Sequence, residues 1–238
     1  MMNLEGCSNP GFSYTHKYKK AMISLFDFIS KQNDKIVGYT GFQEEAESLI
    51  LSDSSEIRML IPFMIKNGII NQDNVYKGGT RIRKLRLNDE FFTVEGKCFL
   101  KFLKIESKIG EVDTSISQII KRIYLKFGII QFEFLREFDE YIYNDLYVFL
   151  KKYKTIDKNE FFFLTHCRKN NILNKLDNYI IDYRNKKIND INIINNVNAY
   201  RYITNYLLQI GILVNVDGYL KLSEYYSSIK AGEKYEFK

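Results

Sequence analysis

The sequence predicts a mainly α-helical fold with small β wings, an α+β chain in which helices outnumber strands. Apolar residues recur at the three- and four-residue spacing of amphipathic helices through most of the 238 residues. Only 2 prolines and 13 glycines are present, which is too few for the turn every ~8–12 residues that an all-β sandwich or barrel requires. Hydrophobic residues make up 45% and charged residues 27%, so a globular core is expected and disorder is not.

Three helices are predicted in the N-terminal third, after an irregular arm over residues 1–17. Apolar spacing indicates helices over 18–30 and 43–51. A third helix is predicted to begin at the N-cap cluster Ser52-Asp53-Ser54-Ser55 and to end at Gly68, a residue typical of helix C-caps.

The segment after these helices predicts a hairpin and a closing helix. Pro62 lies inside the third helix, where it predicts a kink or a later start. A basic hairpin is predicted around Gly78-Gly79, and Thr93 is a good N-cap for the helix that follows. The predicted elements follow the order of a winged helix. That order is helix, short turn, helix, glycine, strand, basic hairpin, strand and closing helix. The sequence therefore predicts a winged-helix module in residues 1–110.

The same order returns near the C-terminus, which predicts an internal duplication. Eight residues around Gly68 match, class for class, residues around Gly211 at a constant offset of 143, although apolar helices can also produce such matches by chance. Val216-Asp217-Gly218-Tyr219 predicts a tight turn from its Asp-Gly pair. A second winged helix is therefore predicted in residues 155–238, joined to the first by connecting helices over 111–154.

Cysteine use and hydropathy favour a cytoplasmic chain. The 3 cysteines are widely scattered and form no CxxC pair or Cys/His cluster, a pattern typical of a reducing compartment. The sequence begins without an apolar signal-peptide segment, and no apolar run approaches ~18 residues. We therefore expect neither secretion nor a membrane span.

Residue types that usually carry catalysis are scarce. His16 lies in the predicted arm and His166 on an apolar helix, and neither has an evident partner for nucleophilic catalysis. Glu95-Gly96-Lys97 and Glu236-Phe237-Lys238 match the Glu-x-Lys string of metal-dependent nucleases, but neither has acidic neighbours that could complete a Mg²⁺ site. We expect no catalytic residue, no metal site and no cofactor in this chain.

A cluster of basic residues on the predicted N-terminal hairpin gives the strongest binding signal. The cluster occupies ten positions without an acid and comprises Lys77, Arg81, Arg83, Lys84 and Arg86. AT-rich codons would explain an excess of lysine and the pI ≈ 8.9, but they do not explain the local excess of arginine. Guanidinium groups suit phosphates and guanine edges. DNA contact is therefore the favoured interpretation, and a solvated hairpin is the alternative.

Further candidates lie at the third helix of each predicted winged helix. The N-terminal module adds Ser54, Ser55 and Arg58. The C-terminal module adds Asn196, Asn198, Arg201 and Asn205. Asparagine can pair with adenine, but it is so common in this sequence that the signal is weaker than that of the arginines.

Residues 160–184 resemble a phrase of type IIS restriction endonucleases of the AlwI kind. The motif consists of an acidic residue followed by Phe, an apolar run, Thr and a basic pair, and then an apolar helix that ends at Tyr-Arg. In this sequence the first part is Glu160-Phe161-Phe162-Phe163-Leu164-Thr165-His166-Cys167-Arg168-Lys169, and the helix ends at Tyr183-Arg184. The tandem winged helices are also similar to the recognition half of FokI-like enzymes. The resemblance implies recognition of double-stranded DNA, with cleavage by a separate nuclease domain or subunit that uses Mg²⁺.

Three functions remain as hypotheses. The first is the non-catalytic, sequence-specific DNA-recognition part of a type II restriction endonuclease. The second is a winged-helix transcription regulator or a plasmid or phage replication initiator. The third, from a different class, is a winged-helix module that binds another protein and no DNA.

Overall fold

A computed structural model describes residues 2–8, 13–50, 54–110, 113–137 and 142–230, with the side chains of 49–50 and 54–56 excepted. The chain divides into two compact units. The N-terminal unit comprises residues 12–134, and the C-terminal unit comprises residues 1–11 and 135–238. The module boundaries predicted from the sequence lie after residues 110 and 154, and that prediction assigned the first residues to the N-terminal module. The structure groups those first residues with the C-terminal unit instead.

The fold class predicted from the sequence is confirmed, since the chain is mainly α-helical with small sheets. The described helices, in chain order, are α1 (His16–Ile29), α2 (Tyr39–Ile50), α3 (Ser54–Lys66), α4 (Val94–Glu106), α5 (Thr114–Glu137), α6 (Tyr143–Tyr153), α7 (Lys158–Lys169), α8 (Leu176–Arg184), α9 (Ala199–Gln209) and α10 (Glu224–Ile229). The described strands are β1 (Met2–Glu5), β2 (Lys35–Gly38), β3 (Val75–Gly78), β4 (Arg81–Leu87), β5 (Ile191–Asn195), β6 (Leu213–Val216) and β7 (Tyr219–Leu222). Short 3₁₀ turns lie at Gln72–Asn74 and Leu173–Lys175.

The first helix begins earlier than the sequence predicted. Thr15 has extended backbone angles and its side-chain oxygen accepts a hydrogen bond from the Tyr18 N–H, so α1 starts at His16. His16 is therefore a helical residue and not part of an irregular arm. Residues 2–5 of that predicted arm form β1, which pairs in parallel with β5 inside the C-terminal unit.

A three-stranded antiparallel sheet packs with the helices of the N-terminal unit. Its strand order is β2-β4-β3, and β2 is a strand that the sequence did not predict. Because β2 ends at Gly38, α2 follows it immediately at Tyr39 instead of beginning near residue 43. Leu85 and Leu87 of β4 are fully buried, and they attach the sheet to the core.

The third helix ends as the sequence predicted. Gly68 has φ +73°, the left-handed conformation that favours glycine. The N–H of Ile69 donates to the carbonyl of Met64 at 2.8 Å, and that of Gly68 donates to Ile65 at 3.2 Å, which is a Schellman cap. Pro62 lies within α3, and the helix continues through it to Lys66. The later start that Pro62 could have imposed is not observed.

Two further local predictions are confirmed by backbone geometry. Thr93 caps α4, because its Oγ1 accepts a hydrogen bond from the Gly96 N–H at 2.9 Å. In the C-terminal unit, Asp217 and Gly218 both have positive φ, at 52° and 84°, which is the signature of the type I′ turn expected from an Asp-Gly hairpin.

The C-terminal unit is organised around α6 and α7. Residues 143–150 of α6 are all buried, and α7 begins with a capping box in which Asp157 and Glu160 each accept from the other's backbone N–H. Strands β6 and β7 together form one antiparallel hairpin, and Ile156 forms an isolated bridge to Leu220 of β7.

None of the described helices combines the length and apolar character that crossing a membrane requires. Two sequence predictions lie outside the described residues, namely the N-cap candidates Ser52 and Asp53 and the string Glu236-Phe237-Lys238.

Candidate nucleic-acid interface

The N-terminal hairpin, formed by β3 and β4 over residues 75–87, displays the whole basic cluster. Lys77, Arg81, Arg83, Lys84 and Arg86 are all exposed. Between Tyr76 and Lys77 the register shifts, so that Arg83 has no residue opposite it in β3. The Arg83 side chain crosses Gly78, where a Cβ would stand 3.0 Å from its Cγ and Nε.

Arg86 differs from the rest of the cluster because it is held by an acid. Its Nε donates to Oδ1 of Asp34 at 3.0 Å and its Nη2 donates to Oδ2 at 2.7 Å. Both side chains are about half exposed, and the hydrogen bonds from Arg86 lower the pKa of the Asp34 carboxyl. The sequence did not predict this pair, since Asp34 precedes Arg86 by 52 residues.

The other four cations of the cluster are unpaired within the described chain. Lys77, Arg81, Arg83 and Lys84 form no ion pair or side-chain hydrogen bond with any residue of the described ranges. Exposed charges that the protein does not neutralise are available to the phosphates of a nucleic acid. The cluster predicted from the sequence therefore consists of four available cations and one arginine that an aspartate engages.

Helix α3 presents Arg58 on its exposed face. Ile57, Leu60 and Ile61 are buried, while Arg58 is exposed and has no hydrogen-bond or ion-pair partner in the described ranges. Burial raises the pKa of Tyr39 to about 12, and the positive charge of the nearby Arg58 opposes that rise. Ser54 and Ser55 lie in the first turn of the same helix, and their side chains are outside the description.

Helix α9 presents the equivalent candidates of the C-terminal unit. Arg201 and Asn205 are exposed four residues apart, so they lie on one face of the helix. Nη2 of Arg201 donates to the Tyr202 hydroxyl at 3.5 Å, and the guanidinium carbon lies 5.1 Å from the ring centroid. Asn198 precedes the helix and is exposed, and its side chain makes no capping hydrogen bond.

Asn196 is explained by the fold of the C-terminal unit. It has φ +51°, and its side-chain amide donates to the Gly6 carbonyl at 3.2 Å. A Cβ at Gly6 would stand 2.6 Å from the Asn196 carbonyl oxygen. These contacts account for an asparagine here through backbone packing, independently of any DNA.

The C-terminal hairpin, formed by β6 and β7 over residues 213–222, lacks the charge of its N-terminal counterpart. Val216 and Tyr219 face each other next to the turn and are 41% and 47% exposed. The turn itself carries Asp217, and the one basic residue of the hairpin is the half-buried Lys221. The two hairpins therefore present different chemistry.

The polar residues of the segment that resembles restriction enzymes are engaged inside the C-terminal unit. Glu160 accepts a hydrogen bond from Nε of Arg184 at 2.5 Å, and Arg168 pairs with the buried Asp145. Lys169 forms an ion pair with Glu5. The same segment also contains His166, which is half-buried in α7, and burial lowers its pKa. These contacts stabilise the unit.

The Glu95-Gly96-Lys97 string lies in the first turn of α4, and Glu95 is exposed there. Among the residues that the structure describes, no group of three His, Cys, Asp or Glu side chains is placed to hold a metal ion. An open cleft of about 710 Å³ lies beside His16, Lys19 and Glu106. Two of its charges neutralise each other, because Lys19 donates to both carboxylate oxygens of Glu106 at 3.0 Å.

Comparison of the chain with models of known families, with curated proteins and with solved structures finds no match. The functional argument therefore depends on the arrangement of these side chains.

Proposed function

We propose that the chain binds double-stranded DNA through a winged helix in its N-terminal unit. The order α1, β2, α2, α3, β3, β4, with the sheet order β2-β4-β3, corresponds to that of a winged helix. In helix-turn-helix proteins of this general kind, the recognition helix lies in the major groove and its N-terminal residues meet the base edges. Helix α3 holds that place here, and the N-terminal hairpin is the wing.

The observation that carries this proposal is the pairing state of the arginines. Five arginines, at positions 86, 136, 168, 184 and 201, contact acidic or aromatic side chains of the chain itself. Arg58, Arg81 and Arg83 have no such partner in the described ranges, and they lie on α3 and the N-terminal hairpin; Arg122 also has none, but it lies on α5, outside the proposed winged-helix contacts. A surface that leaves its guanidinium groups unpaired is suited to phosphates and guanine edges.

Within DNA binding, the function we favour is the recognition part of a type II restriction endonuclease. Its support is a second module in the same chain, because tandem modules of this kind are similar to the recognition half of FokI-like enzymes. The nuclease would be a separate domain or subunit and would carry the Mg²⁺, because the described residues offer no cluster of ligands for it. We assign cleavage to no residue of this chain, and we propose a cytoplasmic location, where its three free cysteines would stay reduced.

The alternatives are a transcription regulator or replication initiator and a module that binds proteins. One observation favours the last of these, namely the exposed Val216 and Tyr219 of the C-terminal hairpin. A protein-binding module would select no preferred duplex, whereas a regulator that acts as a dimer would select a palindrome or an iterated repeat.

The test is selection of a preferred duplex from a random pool, followed by binding measurements over a range of salt. A protein that contacts ~6 phosphates should lose affinity with a log–log slope of about −5. We expect Arg81→Ala and Arg83→Ala each to weaken binding to all duplexes and to reduce that slope by about 1.

Arg122→Ala is the matched control, because Arg122 is an exposed arginine of α5 without a partner in the described ranges. It should leave the affinity and the slope unchanged. Absence of binding to every duplex, or equal effects of all three variants, would overturn the proposal.

A further inference from the structure

The C-terminal ends of α3 and α9 have the same backbone conformation and the same pattern of hydrogen bonds. Gly68 and Gly211 follow the two helices with φ +73° and +75°. In both helices the N–H of the residue after the glycine donates to the carbonyl five positions earlier. The distance is 2.8 Å for the Ile69 N–H and 3.0 Å for the Ile212 N–H. The glycine N–H donates three positions back in both, at 3.2 Å. All these positions are related by the offset of 143.

The hairpin and the closing helix repeat as well. Thr93 and Ser223 are the N-cap residues of the closing helices α4 and α10. The N–H of Thr93 donates to the carbonyl of Ile69 at 3.1 Å, and the N–H of Ser223 donates to the carbonyl of Ile212 at 2.8 Å. Both side chains then accept from the N–H three residues on. The offset falls from 143 to 130 across the hairpin, so the C-terminal hairpin segment is thirteen residues shorter.

The elements before the third helix follow the same order. In the N-terminal unit, α1 precedes β2, which pairs with β4 and leads into α2. In the C-terminal unit, α6 precedes Ile156, which bridges to β7 and leads into α7. Residues 170–198, which contain α8 and β5, are inserted before α9. The two units therefore share one module with different insertions.

Packing explains every match between α3 and α9 except one. Six of the eight matched pairs are apolar and lie in the core of at least one unit, and a seventh is the capping glycine. The eighth pair is Arg58 and Arg201, which are exposed in both units. Arginine makes up only 9 of the 238 residues, so its return at an exposed position that packing does not require indicates a shared contact outside the chain.

We propose, resting on the DNA binding proposed above, that Arg58 and Arg201 each read one guanine, at two different positions of one target. Arg58 is the fifth residue of α3 and Arg201 the third of α9, in the part of a recognition helix that meets base edges. Bidentate contact of arginine with guanine O6 and N7 is the commonest specific contact in the major groove.

Residues next to the two arginines differ between the helices, so the two DNA segments differ as well. Exposed Met59 and half-buried Pro62 of α3 correspond to half-buried Tyr202 and exposed Asn205 of α9 at the same offset, and these side chains suit different base edges. The target is therefore a duplex with two guanine-containing segments that are not repeats of one another. The C-terminal segment is read without help from a basic hairpin, because the exposed tip there is Val216 and Tyr219.

The experiment uses the full chain and the duplex that it selects from a random pool. Arg58→Ala and Arg201→Ala are each compared with wild type on that duplex, on its complete set of single-base-pair changes and on an unrelated duplex. Each variant should lose roughly 5- to 150-fold in affinity for the selected duplex. Each should lose the preference for guanine at one position, and the two positions should differ.

Arg122→Ala should keep the affinity and every base preference. Relaxation of the same position by both variants, relaxation of a position that is not guanine, or an equal loss on all duplexes by either variant would overturn the inference and leave DNA binding intact. A wild-type chain that selects no duplex would overturn the proposed function itself. Thermal melts of both variants should match wild type, since both side chains are exposed.

Discussion

Replacing Gly96 with alanine should destabilise the N-terminal unit although Gly96 lies in a helix, where alanine is ordinarily preferred. A Cβ at this position would stand 2.2 Å from the carbonyl oxygen of Ile69 and 2.8 Å from its carbonyl carbon and Cα. These are backbone atoms between the Schellman cap of α3 and the bridge to Phe92. They cannot rotate away, so the start of α4 must move by about 1 Å to restore ordinary van der Waals contact.

The expected cost follows from the contacts that this movement disturbs. Overpacking of a well-packed site costs about 1–3 kcal/mol. The Thr93 cap of α4 and the hydrogen bond from the Thr93 N–H to Ile69, at 2.9 and 3.1 Å, are worth about 1 kcal/mol each. Alanine returns about 1 kcal/mol of helix propensity. The net loss in the free energy of unfolding is about 2–4 kcal/mol.

Urea denaturation followed by circular dichroism would measure this loss, and Gly41→Ala is the matched control. Gly41 also lies in the first turn of a helix, α2, and a Cβ there meets nothing within 4 Å. We expect Gly41→Ala to be neutral or to stabilise the unit by up to about 1 kcal/mol. A Gly96→Ala protein as stable as wild type, beside a control that behaves as expected, would refute the contact between α4 and Ile69.

Two further predictions concern charged pairs. Asp34→Asn should release Arg86, and we expect it to raise the affinity for an unrelated duplex and to steepen the salt slope by up to about 1; an unchanged slope would show that Arg86 does not face DNA. Hydrogen bonds from Lys152 and Tyr153 lower the pKa of Asp177, so this carboxylate stabilises the folded chain above pH ~4 and ceases to do so as the pH falls through its lowered pKa. Asp177→Asn should therefore cost more stability at pH 7 than at pH 3 in urea unfolding, and an equal cost at both pH values would contradict the pairing.

The features that could be predicted from the sequence are those that a few neighbouring residues determine. The capping glycine at Gly68, the N-cap at Thr93 and the Asp217-Gly218 turn each specify a local backbone geometry, and all three have the expected conformation. The strands β1 and β2 were missed because each has four residues without clear alternation of apolar and polar side chains. Their partners lie far along the chain, and β1 pairs with a strand about 190 residues away.

The candidate site likewise has features that the local sequence predicts and features that depend on the tertiary fold. Local composition identified the basic cluster, since arginine enrichment within ten positions needs no knowledge of the fold. The engagement of Arg86 by Asp34 and of Asn196 by Gly6 depends on tertiary neighbours, and no local pattern indicates either of them. The offset of 143 already aligned Arg58 with Arg201 in the sequence. The structure adds that both arginines are exposed, whereas the other matched pairs are core residues or the capping glycine.

The segment that most resembles a restriction endonuclease has an ordinary role in the fold. Glu160, Arg168 and Arg184 are all used in ion pairs within the C-terminal unit, so this phrase supports the packing of α7 and α8 and contributes no exposed contact by these residues. The proposal of a restriction-type reader therefore depends on the two modules in one chain and on the different residues that their third helices expose. Under the proposed function, two unlike helices in a single chain would read an asymmetric target, whereas a regulator that acts as a symmetric dimer would read a palindrome. Selection of an asymmetric duplex by a monomeric chain would therefore favour the restriction-type reader, and selection of a palindrome by a dimer would favour the regulator.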